Sequence, residues 1–332
     1  MNTTKHTLIG TQRGHCTICP PGPPGLQQGI ALITVLLVLS IATVALVSMS
    51  TSRQLDIRRT QNLLRSSQAF AYVYSLETWA DTVLGKDKSL NKTDGPTDVW
   101  ATPLTLTVPQ GGQLNARLLD LQGRFNLNNL FEENKPNERE IQRFTRLLAL
   151  LKLDTDVVDA ILDWLDSDSD IRYPNGAEDE TYQHKASPYR SANAPFADVS
   201  ELLLVKGVSN KFFQKLRPYI YVTDSPSKLN INTAAPIILQ SLADNLSDDD
   251  VRSLSYAIAD KPFENVQDFV KHEILAELGV GEEGLGVTSN NFLLTGSISL
   301  GKLSLLFDSQ FKRPQEGHIT LVKRQRRSPV NG

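Results

Sequence analysis

The stretch DWLDSDSDIRYPNGAEDE places Asp163, Asp166, Asp168, Asp170, Glu178, Asp179 and Glu180 in one loop behind an apolar helical pattern. So many carboxylates repel one another unless solvent or a cation lies between them, and a set of hard oxygen donors without His or Cys suits Ca²⁺. The spacing imitates an EF-hand at Asp166, Asp168 and Asp170 and then fails. Ile171 stands where that loop needs Gly, and its twelfth position is Ala177, one residue before Glu178. A calcium loop of another kind remains, in which NGAED turns Glu178 and Asp179 back toward the earlier aspartates. The competing readings are a solvated acidic loop and a catalytic carboxylate pair; no aromatic sugar-binding array accompanies the latter.

Other chemistry is thin. Cys16 and Cys19 form a single CxxC within HCTICPPGPPG, with no second pair and no thioredoxin-like context. Nothing after residue 29 is a cysteine, so disulfides do not hold that part together. The five histidines are scattered, with His6 and His15 near the N-terminus and His184 beside the acidic loop. No Ser-His-Asp arrangement, zinc signature or phosphate loop is present, and a non-enzymatic protein is expected. LLLVKGVSNKFFQKL reads as a helix-hairpin-helix, but Ser209 replaces the second Gly of the Gly–apolar–Gly turn that Gly207 and Val208 begin. A second, more degenerate unit carries Asp248, Asp249 and Asp250 where phosphate would approach. Residues 1–29 hold Lys5 and Arg13 and no acid, and the rest carries 32 basic against 37 acidic side chains. Such a mildly acidic body is a poor nucleic-acid binder.

The elements that carry these residues follow a clear order. From Ile30 to Ser50 no charge interrupts the chain, and ~20 residues at ~1.5 Å each cross a ~30 Å hydrocarbon core. A cleaved secretory signal has a shorter apolar stretch with its cleavage site behind it. Here Leu55, Leu63, Leu64, Phe70, Val73, Tyr74 and Leu76 continue the helix as an amphipathic one until Gly85. Residues 86–97 are a polar linker. Alternating runs broken by PQGG then predict a β-hairpin, helical patterns fill the chain to about residue 285, and NFLLTGSISLGKLSLLFDSQFKR and HITLVKRQRR return to strand alternation. Asn137 ahead of Glu138 and Glu140, Asp154, and Asp198 with Glu201 three residues on mark helix starts. Separated strands most simply share one sheet with the helical block inserted between them; two consecutive domains is the alternative.

Gly29 before a long apolar helix with an amphipathic extension resembles a type IV pilin-like N-terminus. That resemblance implies cleavage after Gly29 by a prepilin peptidase on the cytoplasmic side and N-methylation of Ile30. The superfamily's usual Glu at the fifth mature position is Thr34 here. A carboxylate in the bilayer is costly unless paired, so a subunit with no neighbour above it can omit the charge. LQGRFNLNNL, ILDWLDSDSDIRYPNGAEDETY and KLNINTA, in that order after a Glu-less helix, look like the minor pseudopilin K family of bacterial type II secretion.

The resemblance implies an α+β, pilin-like fold: a long N-terminal helix on a small antiparallel sheet, with a large all-helical insertion containing degenerate helix-hairpin-helix units. The expected division is a leader over 1–29, a transmembrane part over 30–50, an amphipathic remainder over 51–85, a β region over 98–125 and 286–325, the insertion over 126–285 and a basic tail over 326–332. It further implies an inner-membrane, single-pass protein with its globular part in the periplasm. Its place would be the pseudopilus tip, with minor pseudopilins I and J above H and the major pseudopilin G. Ca²⁺ is implied in the acidic loop, on ligands among Asp163, Asp166, Asp168, Asp170, Glu178 and Asp179. A membrane-anchored DNA-uptake protein and a type IV pilus tip pilin are the alternatives.

Overall fold

The computed structural model describes residues 27–133, 135–315 and 317–327, and the chain divides into two compact units, Met1–Leu63 and Leu64–Gly332. The CxxC and most of the leader lie outside the described residues. Helix α1 runs Gln27–Leu90 and contains the one segment among the described residues long and apolar enough to cross a membrane. Its hydroxyls are absorbed locally: Thr34 donates to Ala31 O at 2.9 Å, Ser40 to Leu36 O at 2.8 Å and Thr43 to Ser40 O at 2.8 Å. These three hydroxyls need no partner from elsewhere.

Within the second unit, Ala69, Val73, Leu76, Ala80 and Leu84 recur at helical spacing and are buried. They pack on a five-stranded antiparallel sheet of β1 (Leu104–Val108), β2 (Gly112–Asp120), β3 (Asn291–Leu300), β4 (Leu303–Lys312) and β5 (Thr320–Arg327), whose spatial order follows the chain. The strands alternate as a half-buried sheet requires. Leu114, Ala116 and Leu118 of β2 face α1, opposite Ile298, Gly296 and Leu294 of β3. Gly296 is held small: a Cβ there would meet Asn115 O at 2.6 Å and the Phe307 ring at 2.7 Å.

β2 and β3 are hydrogen-bonded neighbours, yet residues 121–290 lie between them in sequence. The helical block is therefore an insertion into one sheet. It holds α2 (Glu138–Leu150), α3 (Val157–Leu165), α4 (Asp179–Gln183), α5 (Asn210–Leu216), α6 (Pro236–Gln240), α7 (Asp248–Asp260) and α8 (Val266–Val270). Two cores serve it, one around Phe144, Leu147, Ile161 and Trp164, the other around Leu239, Leu254 and Phe269.

Several local expectations are refined. α1 passes Gly85 because its last turn is tied down: Asp87 accepts from Arg313 at 3.0 Å and Lys88 donates to Pro314 O. α3 begins at Val157, and Asp154 instead accepts the Asp156 N–H in the preceding turn. Asp198 and Glu201 do form a capping box, but on the 3-10 helix Val199–Leu204. Three two-residue ladders also stitch the helical block. Phe125–Asn126 runs parallel to Ile220–Tyr221 and Leu229–Asn230 parallel to Leu285–Gly286, while Phe131–Glu132 pairs antiparallel with Lys135–Pro136.

Candidate metal centre in the acidic loop

α3 is buried along nearly its whole length, so its acids enter the structure with it. Asp163, fully buried, accepts the Ala177 N–H at 2.8 Å and the Arg172 N–H at 3.2 Å, and its Oδ1 lies 3.4 Å from Arg172 Nε. One turn earlier, Asp159 accepts the Asn175 N–H at 3.3 Å. The returning chain comes so near that a Cβ at Gly176 would sit 2.2 Å from Asp163 Oδ2, which explains the glycine in PNGAED. Lys206 donates to Asn175 O and Gly176 O at 3.2 and 3.0 Å and fixes the loop from outside.

Two further acids are buried with less support. Asp166, at the end of α3, offers Oδ2 to Arg172 at 3.4 Å, and its Oδ1 has no partner. Glu178 is 3% exposed and neither of its oxygens is hydrogen-bonded. Burial, compounded by Asp163 and Asp166, pushes the Glu178 carboxyl up to about 7. Burial and the Asp168 charge push Asp166 up to about 6. Asp163 is also raised, first by burial, against the pull of the Arg172 and Ala177 amides. A buried carboxylate without donors is costly in ionised form unless a proton or a cation answers it. Ser191 Oγ and Asn193 Oδ1 are likewise buried and unpartnered, while the Asn193 amide donates to Asp168 O at 2.5 Å. These orphaned oxygens are the donor chemistry a hard divalent cation takes.

The loop thus draws together Asp163, Asp166 and Glu178, with Asp168 near enough to act on both of the raised acids. The other two candidates make different contacts. Asp170 is exposed and donates its N–H to Asp168 Oδ1 at 2.8 Å. Asp179 begins α4, accepts the Ser191 N–H at 2.9 Å and lies 3.8 Å from Arg190. Glu180 is exposed, and His184 turns back onto Glu180 O. Sequence reasoning passed over Arg172, the counter-charge inside the motif, although a lone base among seven acids was visible there. Ser191 and Asn193 carry no such signal.

The tightest acid trio among the described residues is elsewhere. Single ligand atoms of Asp87, Asp94 and Asp98 fall within 4.8 Å of one another, but Arg313 already binds Asp87 and Asp94. Gly29 and Ile30 both lie on α1, Ile30 exposed and Gly29 with no neighbour a side chain would meet. In the hairpin-like units, Ser209 caps α5 through the Phe212 N–H, and Ser247 forms a capping box with Asp250 on α7. These polar residues serve helix ends.

Residues 123–225 and 229–288 match the family described as type II secretion system (T2SS), protein K. A type II secretion system protein K of Pseudomonas aeruginosa is 34% identical over 311 residues, covering 90% of this chain and 92% of that protein. The chain belongs to the type II secretion system protein K family. A Klebsiella pneumoniae member is 30% identical over 294 residues, 83% of this chain and 89% of its own length. Among solved structures, a chain of the GspK-GspI-GspJ complex from enterotoxigenic Escherichia coli superposes with a TM-score of 0.70 at 26% identity, over 81% of this chain and 99% of that one. The α+β architecture of long helix, small antiparallel sheet and helical region is that of protein K, a structural component of the secretion machinery.

Proposed function

We propose that the chain is a minor pseudopilin that sits at the pseudopilus tip with I- and J-type subunits, above H and the major pseudopilin G. There it initiates the filament and limits its growth during export of folded proteins across the outer membrane. The observation that carries this reading is the insertion of residues 121–290 between two neighbouring strands of a small sheet. A body that large beside an otherwise slender head obstructs any subunit stacking above it. The absence of a carboxylate at Thr34 and the assembly named for the structural neighbour support the same position. The apolar part of α1 holds the protein in the inner membrane, with the head in the periplasm, until assembly begins. Maturation by prepilin peptidase after Gly29 and methylation of Ile30 complete the reading.

The acidic loop is proposed to hold Ca²⁺ as a structural ion. Asp166 and Glu178 supply the oxygens that lack donors, and Asp163 and Asp168 the surrounding charge. When bound, the ion neutralises a cluster that one arginine cannot, and so fixes the loop between α3 and α4. The test of the tip reading is the composition of filaments assembled with an epitope-tagged chain. Label confined to one end is expected; label along the shaft, or a chain that keeps residues 1–29 in peptidase-containing cells, would defeat it. Nothing in the structure favours DNA uptake, since the hairpin turns are spent on helix capping and acids line the second.

A further inference from the structure

The stretch TSRQLDIRR, which leaves the apolar run of α1, carries the arginines Arg53, Arg58 and Arg59 and the single acid Asp56. Asp56 is the first carboxylate side chain in the chain, and no lysine occurs between Lys5 and Lys86. All four charged side chains are exposed on the helix. Arg59 lies 3.6 Å from Asp56, an exposed and therefore weak pairing. Arg53 and Arg58 meet no carboxylate within ion-pair distance among the described residues.

The span sets the height of these charges. At ~1.5 Å per residue, Ile30–Ser50 matches a ~30 Å hydrocarbon core without slack, so the edge of that core falls near Ser50. The headgroup layer beyond it is ~5–7 Å deep. Arg53 stands ~4.5 Å past Ser50, inside that layer, and Arg58 and Arg59 stand ~12–14 Å past it. Helical side chains lean toward the N-terminus, which in α1 is back toward the bilayer. The two outer guanidinium groups therefore come down onto the headgroups.

The charges are also spread around the helix. At ~100° per residue, Arg58 and Arg59 are turned about 140° and about 240° from Arg53. Leu55 and Ile57 fall on nearly opposite sides, so this level presents no single apolar stripe to a neighbouring helix. A protein partner reaches one face of a helix, whereas a lipid layer surrounds it. Guanidinium groups suit that layer chemically, because they bind phosphate oxygens in pairs.

We propose that Arg53, Arg58 and Arg59 form a collar that binds the phosphates of anionic phospholipid headgroups and so fixes the depth of α1 in the bilayer. The leaflet is the one at the C-terminal end of the span. The inference rests on α1 crossing the membrane, and on neither the tip assignment nor calcium. Arg53, deepest and unpaired, contributes most; Arg59, which shares its charge with Asp56, contributes least.

The test uses the full-length protein in phosphatidylcholine vesicles doped with phosphatidylglycerol or phosphatidylcholine that is spin-labelled on an acyl chain. Electron paramagnetic resonance reads the label immobilised on the protein, and resistance to alkaline extraction reads the span separately. Wild type is expected to hold phosphatidylglycerol at least about fivefold more strongly than phosphatidylcholine. Arg53→Gln/Arg58→Gln/Arg59→Gln should hold the two lipids alike while still resisting extraction. Arg53→Gln alone should lose more of the preference than Arg59→Gln. Millimolar inorganic phosphate at constant ionic strength should leave the preference in place; its loss would overturn the lipid assignment in favour of a free-anion site. Equal retention of both lipids by extraction-resistant wild type, or an unchanged preference in the triple variant, would overturn the collar and leave the span standing. If that variant also ceased to copurify with I- and J-type subunits, the arginines would belong to a protein contact instead. Extraction of the wild type would remove span and collar together.

Discussion

Two acidic clusters in this chain resemble each other in composition and differ in how their charge is answered. At the foot of the sheet, Asp87, Asp94 and Asp98 surround Arg313, which is buried and bonds Asp87 at 3.0 Å, Asp94 at 2.5 Å and Ser289 O at 2.7 Å. Ser289 also donates to Asp94 and Asp120, and Asn230 donates to Asp94 O and Asp120, so that nearly every oxygen has a donor. In the α3–α4 loop, by contrast, Arg172 is partly exposed, and neither Glu178 oxygen has a donor at hydrogen-bonding geometry, with only the Asn193 side chain near enough to ease its charge. The first cluster is complete within the protein and acts as a clamp joining the end of α1, β2, the insertion and the end of β4. The second leaves buried carboxylate oxygens without donors. Carboxylates alone do not mark a metal site; buried carboxylates left without a donor call for a proton or a cation.

The largest effect should come from breaking the completed cluster. Arg313→Met leaves Asp87 and Asp94 buried without their cation and should cost about 3–5 kcal/mol in chemical unfolding. Added calcium should restore little of it; full rescue would mean that the trio is itself a cation site.

A slightly smaller effect is expected from supplying what the loop lacks. Calcium at about a hundredfold over its dissociation constant should stabilise the protein by about 2.7 kcal/mol. Glu178→Gln should remove most of that gain, and Asp170→Ala, at an exposed position facing away, should remove little. An unchanged melting temperature in calcium would leave a solvated acidic loop.

The pH response separates the clusters further. Glu178 and Asp166 are raised to about 7 and about 6 from ordinary carboxylate values, so the folded state binds more protons than the unfolded one between about pH 4 and 7. Stability without calcium should therefore fall as pH rises through that window. Asp94, which burial pushes up to about 7 despite Arg313, contributes in the same direction. Calcium should flatten only the loop's share, and in a melting series from pH 5 to 8 calcium-free Glu178→Gln should lose the Glu178 part of the slope while keeping that of Asp166. Matching slopes with and without calcium in the wild type would contradict the loop assignment.

The smallest effect belongs to a pair in neither cluster. Asp198, held down at about 2 by Lys323 and Ser200 against the opposing effect of burial, is partly exposed, and Lys323→Ala should cost no more than about 1 kcal/mol. Its contribution is present above pH 4 and disappears as pH falls toward 2, the opposite sign to Glu178. A larger loss would show that β5 depends on this pair for its place in the sheet.

Much of this was legible along the chain because the signals are local. The uncharged run after Gly29, the apolar spacing from Ala69 to Leu84, the Asn137 cap and the strand alternation of β3 to β5 each depend on neighbours within a few residues. What was illegible depends on partners far apart in sequence. The extension of α1 past Gly85 is held by Arg313, and the parallel pairing of Phe125 with Ile220 requires two segments about a hundred residues apart. The acidic loop falls between these cases. Its carboxylates announce themselves, but the separation of Asp163 and Glu178 from Asp170 and Asp179 follows from how the loop folds back on α3, burying Glu178 at the start of α4 and leaving Asp170 in solvent.

By itself the order of residues determined that this is a membrane-type helix leading into strands, helices and strands, with one loop rich in hard oxygen donors. Propensity, periodicity and charge act over short distances and survive translation into a string. Only the tertiary structure decided that β2 and β3 are neighbours and that one acid cluster is satisfied and the other is not. Those outcomes turn on burial and on contacts between distant segments, because a charge becomes costly, or useful, only once the rest of the chain has removed the water around it.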